Sequence, residues 1–374
     1  MKQNNHEALE VSSQLFDKEV AKILPIAPLI GKDSNSIIQV KEISNRGHGD
    51  RVLFHWPILT EDYGVYPLET GQKQYMYLMA DSVNVGEFSQ AVAIRNEETA
   101  DPSVVCGMHA EAKRALVNWY VNRLTTMFFV HACGYTARAL DNYAVLTNTT
   151  LHSVVCGYND PIPPSSKCVI RPNDKTEDEG LDENDTFSLE LIDQATGRAK
   201  FIRGAERLKP ICIGGKSFYV LYLHPKQVAQ LRANTEKERW REITRADYFR
   251  NFMGHPLFEG ALGVYNGVIL HETEYVTPGV QGNVHEVYRG ESVQEVRRAV
   301  LLGAQSVFLA FGDGHEAPRP QITEEVSDFN RELGLAIKTV IGMKKARLGD
   351  FRQDGTIGSG YDDFGTVVIP TYVG

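Results

Sequence analysis

The chain is 374 residues long, 42% hydrophobic and 23% charged, the proportions of an ordinary folded protein with room for roughly two or three domains. A formal net charge of −9 argues against a dedicated nucleic-acid grip, because phosphate binding draws on a basic surface. No apolar run approaches the roughly 20 residues of a bilayer span, and the polar opening from Met1 to Glu7 predicts no secretory leader.

Residues 1–45 read as a weakly structured arm. Val20 to Ile30 is apolar, yet Pro25 and Pro28 prevent a stable helix. Such an arm must bury itself on the body, as a simple domain lead-in, or on a neighbouring chain. From Gly49 to Ile58 the pattern is strand-like, with Pro57 limiting it to an edge. A polar tip follows from Thr60 to Gly71, and the segments Tyr75–Met79 and Ser82–Phe88 alternate again. This long two-stranded excursion has few residues of its own to bury. An isolated hairpin is marginal in water, so it predicts a partner surface, which strand addition to another chain would supply.

The strongest helix runs from Pro102 to a cap at Gly134. Val105, Met108, Ala112, Ala115, Leu116, Trp119, Tyr120, Leu124, Met127 and Phe128 follow helical spacing and predict one apolar face. At about 1.5 Å per residue it spans on the order of 45 Å, enough to need a large sheet or a neighbour to lie on. Residues 135–186 are turn-rich and polar. Their acidic run from Asp174 to Asp185 lacks the alternating ligands of an EF-hand and reads as a solvated loop. Thr186 is the expected N-cap of a helix over Ser188–Arg203.

A central strand is expected over Ser217–Leu223, ended by His224-Pro225, with helices over Lys226–Asn234 and Trp240–Phe252. The densest apolar stretch lies between Phe258 and Gly312. Val264 and Val268–Leu270 flank a tight turn at Asn266-Gly267. Val296, Val300, Leu301 and Gln305 stand at helical spacing before the apolar run Val307–Phe311. A loop over Asp313–Pro320, a helix over Ser327–Ile341 and a closing strand over Phe364–Val373 complete the chain. There is no internal repeat, and helices and strands mix without a regular βαβ period, which makes the fold class α+β.

Chemical motifs are sparse. Ile213-Gly-Gly-Lys-Ser217 has Pro210 where a phosphate loop needs glycine, and a strand follows, so it reads as a hairpin turn. His271-Glu272 and His315-Glu316 look like fragments of a metallohydrolase, but Tyr275 stands where His-Glu-x-x-His would place its second histidine. The five cysteines (Cys106, Cys133, Cys156, Cys168 and Cys212) form no Cys-x-x-Cys pair and fit reduced, mostly buried thiols. The one basic cluster, Met343–Leu348, reads as a solvated helix end. No catalytic constellation emerges, and neither a metal nor a cofactor is expected.

An ordered set of segments resembles the major capsid proteins of N4-type tailed phages, which adopt the HK97-like fold. It comprises Gly49–Phe54, Leu68–Gly71, the Trp119-centred helix ending at Gly134, Phe218–Pro225, Phe258–Gly263, Gly267–Glu272, Ala299–Gln305, Ala310–Gly312 and Asp363–Gly365. No single segment is specific; their order is. The resemblance implies an N-terminal arm over 1–48, an extended hairpin loop over 49–95 and a peripheral domain over 96–186 with its spine helix at 102–134. An axial domain would occupy 187–325, and 326–374 would return to the peripheral domain. It further implies a non-enzymatic protein of the virion capsid, made in the host cytoplasm, that self-assembles as hexamers and pentamers around double-stranded DNA. Portal and scaffolding proteins would be its partners, with a decoration protein as a further one, and no membrane is involved. The hairpin tip, with Glu61, Asp62, Tyr63, Val65, Tyr66 and Leu68, would contact a neighbouring subunit. The alternative, a cytosolic metal-dependent hydrolase built on His271, Glu272, His315 and Glu316, leaves the arm and the hairpin unexplained.

Overall fold

The computed structural model describes residues 20, 23–42, 51–59, 76–95, 102–134, 157–201, 208–244, 255–277, 296–311, 320–327, 332–351 and 357–374. In chain order the N-terminal part contains β1 (Ile30–Gly31), β2 (Ile38–Glu42), β3 (Arg51–Leu59), β4 (Met76–Asn84), β5 (Gly86–Arg95) and helix α1 (Pro102–Cys133). The middle contains α2 (Leu189–Phe201), β6 (Ile211–Ile213), β7 (Lys216–Leu223), α3 (Pro225–Ala233), α4 (Lys237–Ile243), β8 (Gly263–Tyr265) and β9 (Val268–Glu272). Among the described residues the last part has only strands: β10 (Val296–Leu302), β11 (Val307–Phe311), β12 (Gln321–Ser327), β13 (Glu332–Lys345), β14 (Arg347–Phe351), β15 (Ile357–Asp363) and β16 (Thr366–Tyr372).

Two large sheets organise the molecule. One has the order β1-β2-β11-β13-β12 with β5 also on β13; the other has the order β16-β10-β7-β9-β8 with β6 on β7. The strand expected over Ser217–Leu223 is therefore central, as read. In the second sheet successive residues line two separate cores. Tyr219, Leu221, Val268, Leu270, Leu301 and Ile369 pack under α2 and α3, while Val220, Tyr222, Ile269, Val300, Leu302 and Val368 join the main core with α1. A strand buried on both faces has no reason to alternate polar with apolar.

That two-sided burial corrects one sequence expectation. Val296, Val300, Leu301 and Gln305 are not on a helix: β10 ends at Leu302, pairs with both β16 and β7, and turns through Gln305 into β11. A second expected helix, Ser327–Ile341, is strand wherever it is described, at Ser327 and over Glu332–Ile341. There Leu335, Ile337, Thr339, Ile341 and Met343 are buried on one face, and β13 pairs with β12, β5 and β11. The period of two was present in the sequence; the helix-forming Glu332 and Leu333 at its start obscured it.

Helix α1 covers the expected span and ends at Gly134, whose φ of +67° suits glycine and whose N–H donates to His131 O at 3.3 Å. It is not one-faced. From Met127 to Cys133 every side chain is buried, whereas Met108 is 46% exposed. The helix packs on β5 and β13 and also meets β10, β11 and β16. The apolar arm behaves as a lead-in over the residues described: Leu24, Ile26, Leu29 and Ile30 lie in the main core, and β2 pairs in parallel with β11.

Smaller differences have local causes. Thr186 stands outside α2, and its hydroxyl accepts a hydrogen bond from Asn234 Nδ2 at 3.0 Å. α3 is capped instead by a reciprocal pair: His224 Nδ1 accepts from Lys226 N, and Gln227 Oε1 accepts from His224 N. α4 begins earlier than expected, at Lys237, and ends at Ile243; residues 245–254 lie outside those described. Asn266 and Gly267, with φ of 47° and 77°, form the tight turn expected between β8 and β9.

Candidate assembly surface

The hairpin β3–β4 pairs in continuous antiparallel register from Arg51↔Asn84 to Leu59↔Met76. Its alternation divides the base into two faces. Val52, Phe54 and Val83 point inward and form a small separate core with Val85, Phe308, Ala310, Ala346 and Phe364. Phe54 stacks on Phe308 with ring centroids 4.3 Å apart. On the other face Arg51, Leu53 and His55 are exposed, Leu53 by 51%. Two lysines hold the base: Lys41 Nζ donates to Leu53 O, and Lys344 Nζ lies 2.6 Å from Asp81 Oδ1. The base thus has a modest core of its own, borrowed from the body. The tip residues Glu61, Asp62, Tyr63, Val65, Tyr66 and Leu68 lie outside the described residues.

Lys344 belongs to the basic cluster expected on a solvated helix end. The cluster is instead the end of β13 and the start of β14, and it faces carboxylates. Lys345 continues the inward stripe of β13 and is wholly buried, with Nζ 2.9 Å from Asp363 Oδ2. Arg347 Nε reaches Asp363 Oδ1 at 3.1 Å, and Ser165 N donates to Asp363 Oδ2 at 3.1 Å. Burial pushes the Lys345 ammonium below the usual lysine range, and the charge of Asp363 opposes that push. Strand parity could have found this lysine, since Leu335, Ile337, Ile341, Met343 and Lys345 are all odd-numbered positions of one strand.

The acidic run is likewise not all solvated. Asp178 is buried and takes two hydrogen bonds from Arg298, at 2.8 and 2.6 Å, and one from Arg171 at 2.7 Å. Arg298 Nη1 also donates to Gly134 O at 2.7 Å, which ties the end of α1 to the loop and to β10. Asp185 is buried and accepts from Asn173 Nδ2 and Asp182 N. Arg298 joins segments far apart in sequence, whereas the bonds to Asp185 and the Arg171 contact tie the acidic loop to itself.

Of the hydrolase residues, only His271 and Glu272 are among those described. The His271 ring lies against Tyr222, with centroids 5.2 Å apart, and its Nε2 is 2.9 Å from Leu257 O. Burial pushes its pKa down, opposed by that carbonyl contact. Glu272 is exposed at the strand end, and His315 and Glu316 lie outside the described residues. Among the described residues no three His, Cys, Asp or Glu side chains are grouped to hold a metal ion, and no helix is long and apolar enough to cross a membrane. Cys133 and Cys168 are buried with their thiols pushed up by desolvation, Cys212 is exposed, and the side chains of Cys106 and Cys156 lie outside the described residues. Gly214-Gly215 turns β6 into β7 as a hairpin.

A long helix packed on strands of both large sheets, beside a two-stranded ribbon with one exposed face, is a fold this chain shares with solved phage capsids. The capsid of Ralstonia phage GP4 is similar at a TM-score of 0.74 and 22% identity, over 93% of this chain and 90% of that one. The capsid of cyanophage Pam1 is similar at 0.59 and 18%, over 93% and 92%. The acid-stable capsid of Helicobacter pylori bacteriophage KHP30 is similar at 0.61 and 13%, over 93% and 90%. No curated protein matches. The family model described as phage capsid protein matches residues 2–374, and the chain belongs to that family. It is a major capsid protein, a structural component of a phage shell.

Proposed function

We propose that this chain is the major capsid protein of an N4-type tailed phage, closing a shell of hexamers and pentamers around double-stranded DNA. The hairpin over 49–95 reaches onto a neighbouring subunit and engages it through Glu61, Asp62, Tyr63, Val65, Tyr66 and Leu68. The arm over 1–48, the peripheral domain over 96–186 and 326–374, and the axial domain over 187–325 divide the remaining work. The peripheral part carries the spine helix, and the axial part gathers at the symmetry axes. The subunit is made in the host cytoplasm, and portal, scaffolding and decoration proteins are its partners.

One observation carries this reading: the paired strands β3 and β4 bury one face of their base on the body and leave Arg51, Leu53 and His55 exposed on the other. A two-stranded ribbon is marginal alone and gains from a second surface. The net charge of −9 supports a container that does not clamp its genome. The test is electron microscopy of the full chain, co-expressed with the phage's scaffold where needed, beside a deletion of Glu61–Leu68. The full chain is expected to give closed shells, and the deletion folded subunits that do not close. Normal shells from the deletion would overturn the role given to the hairpin.

A further inference from the structure

We propose that Tyr158 and Asn159 form a latch on the junction between hairpin and body, setting the angle at which the hairpin leaves; this positioning role rests on the hairpin reading above. Only Val85 separates β4 from β5, so the chain passes from a free ribbon into the main sheet within one residue. A junction that short acts as a hinge unless something holds it.

The side chain of Asn159, 26 residues after the end of α1, does so. It is 7% exposed, its Oδ1 accepts from Asn84 N at 2.9 Å, and its Nδ2 donates to Asn84 O at 2.9 Å. A primary amide offers the same donor and acceptor pair as a strand backbone, so Asn159 stands where a further strand would have paired. Asn84 Nδ2 in turn donates to Tyr158 O at 3.3 Å. The Tyr158 hydroxyl donates to Glu87 O at 2.7 Å, and its ring lies so close over Gly86 that a Cβ there would overlap it. On the opposite side Gly342 of β13 leaves room for Asn84 O, and a Cβ there would collide with that oxygen. Residues 84, 86 and 87 are therefore gripped from two sides. Tyr158 itself is 44% exposed, which is poor use of an aromatic ring for core packing and good use of it for holding a backbone in place.

Two readouts test this in the full-length protein: amide hydrogen exchange of the unassembled subunit, and the diameters of assembled particles. Asn159→Ala is expected to fold, to speed exchange at Asn84 about tenfold, and to turn uniform shells into particles of mixed diameter or open sheets. Tyr158→Phe, which keeps the ring and loses only the bond to Glu87 O, is expected to shift both readouts in the same direction by less. Uniform shells of wild-type diameter from Asn159→Ala would overturn the proposal. So would failure of that variant to fold, since the pair would then belong to the core. The tip deletion separates the two readings. It removes closure without changing exchange at Asn84, so normal shells from the deletion would sink the hairpin reading, and uniform shells from Asn159→Ala only the latch.

Discussion

The sheet around β7 and the ribbon β3–β4 are built from similar residues and end in opposite situations. In the sheet, neighbouring residues such as Val220 and Leu221 belong to two different cores, and both are fully buried. In the ribbon, the neighbours Phe54 and Leu53 are 2% and 51% exposed. The sheet satisfies itself within one chain, whereas the ribbon satisfies half of itself and presents the remainder. A shell protein needs both kinds of region, one to fold before assembly and one to gain by it.

Substitutions can break this contrast. The largest effect is expected at the buried ion pair between the ends of β13 and β15. Asp363→Ala strands the buried Lys345 without its counter-charge, and should cost about 3–5 kcal/mol in denaturant unfolding of the subunit. Leu221→Ala, in the two-sided sheet, should cost about 2–5 kcal/mol by the same measurement. Phe54→Ala, at the ribbon's inner face, should cost about 3 kcal/mol and expose the base to protease while the β7 sheet keeps its protection. A Phe54→Ala subunit that loses protection in both regions at once would show that ribbon and sheet are not separable.

A smaller effect follows from pH. Burial holds His271 below its ordinary value of 6.5, so between the two values the unfolded chain binds more protons than the folded one. Stability should therefore be unaffected by this group above pH 6.5 and decline as the pH falls below it. His271→Gln should flatten that decline in unfolding midpoints compared at pH 7.5 and 5. The smallest effect on folding is expected from Leu53→Ser, within about 0.5 kcal/mol for the subunit. Particle yield should nevertheless fall if the outer face of the ribbon is a contact.

Legibility in the sequence followed burial. Elements with one exposed face or firm punctuation were readable: α1 between Pro102 and Gly134, β7 before His224-Pro225, and the turn at Asn266-Gly267. Where both faces are buried the pattern is silent, and β10 imitated a helix. The strand β13 was readable by its alternation but was outweighed by helix-forming residues at its start. Of the ribbon, the pairing of two strands was visible in the sequence, but the expected ribbon ran on to Phe88, whereas from Gly86 the chain is β5, paired with β13. The grips on the ribbon were not visible, because Asn159, Phe308 and Lys344 come from distant positions and carry no local signal.

The parallel pairing of β2 with β11 sets a schedule for synthesis. Ile38 pairs with Val307, 269 positions later in the chain. At about 5–20 residues per second, the first strand leaves the ribosome on the order of 15–55 s before its partner exists. During that interval Ile37, Ile38 and Val40, all buried in the finished subunit, have no sheet to join. The sheet that holds β2 therefore cannot be completed until Val307–Phe311 has been made, and long-range pairing of this kind is slow to form.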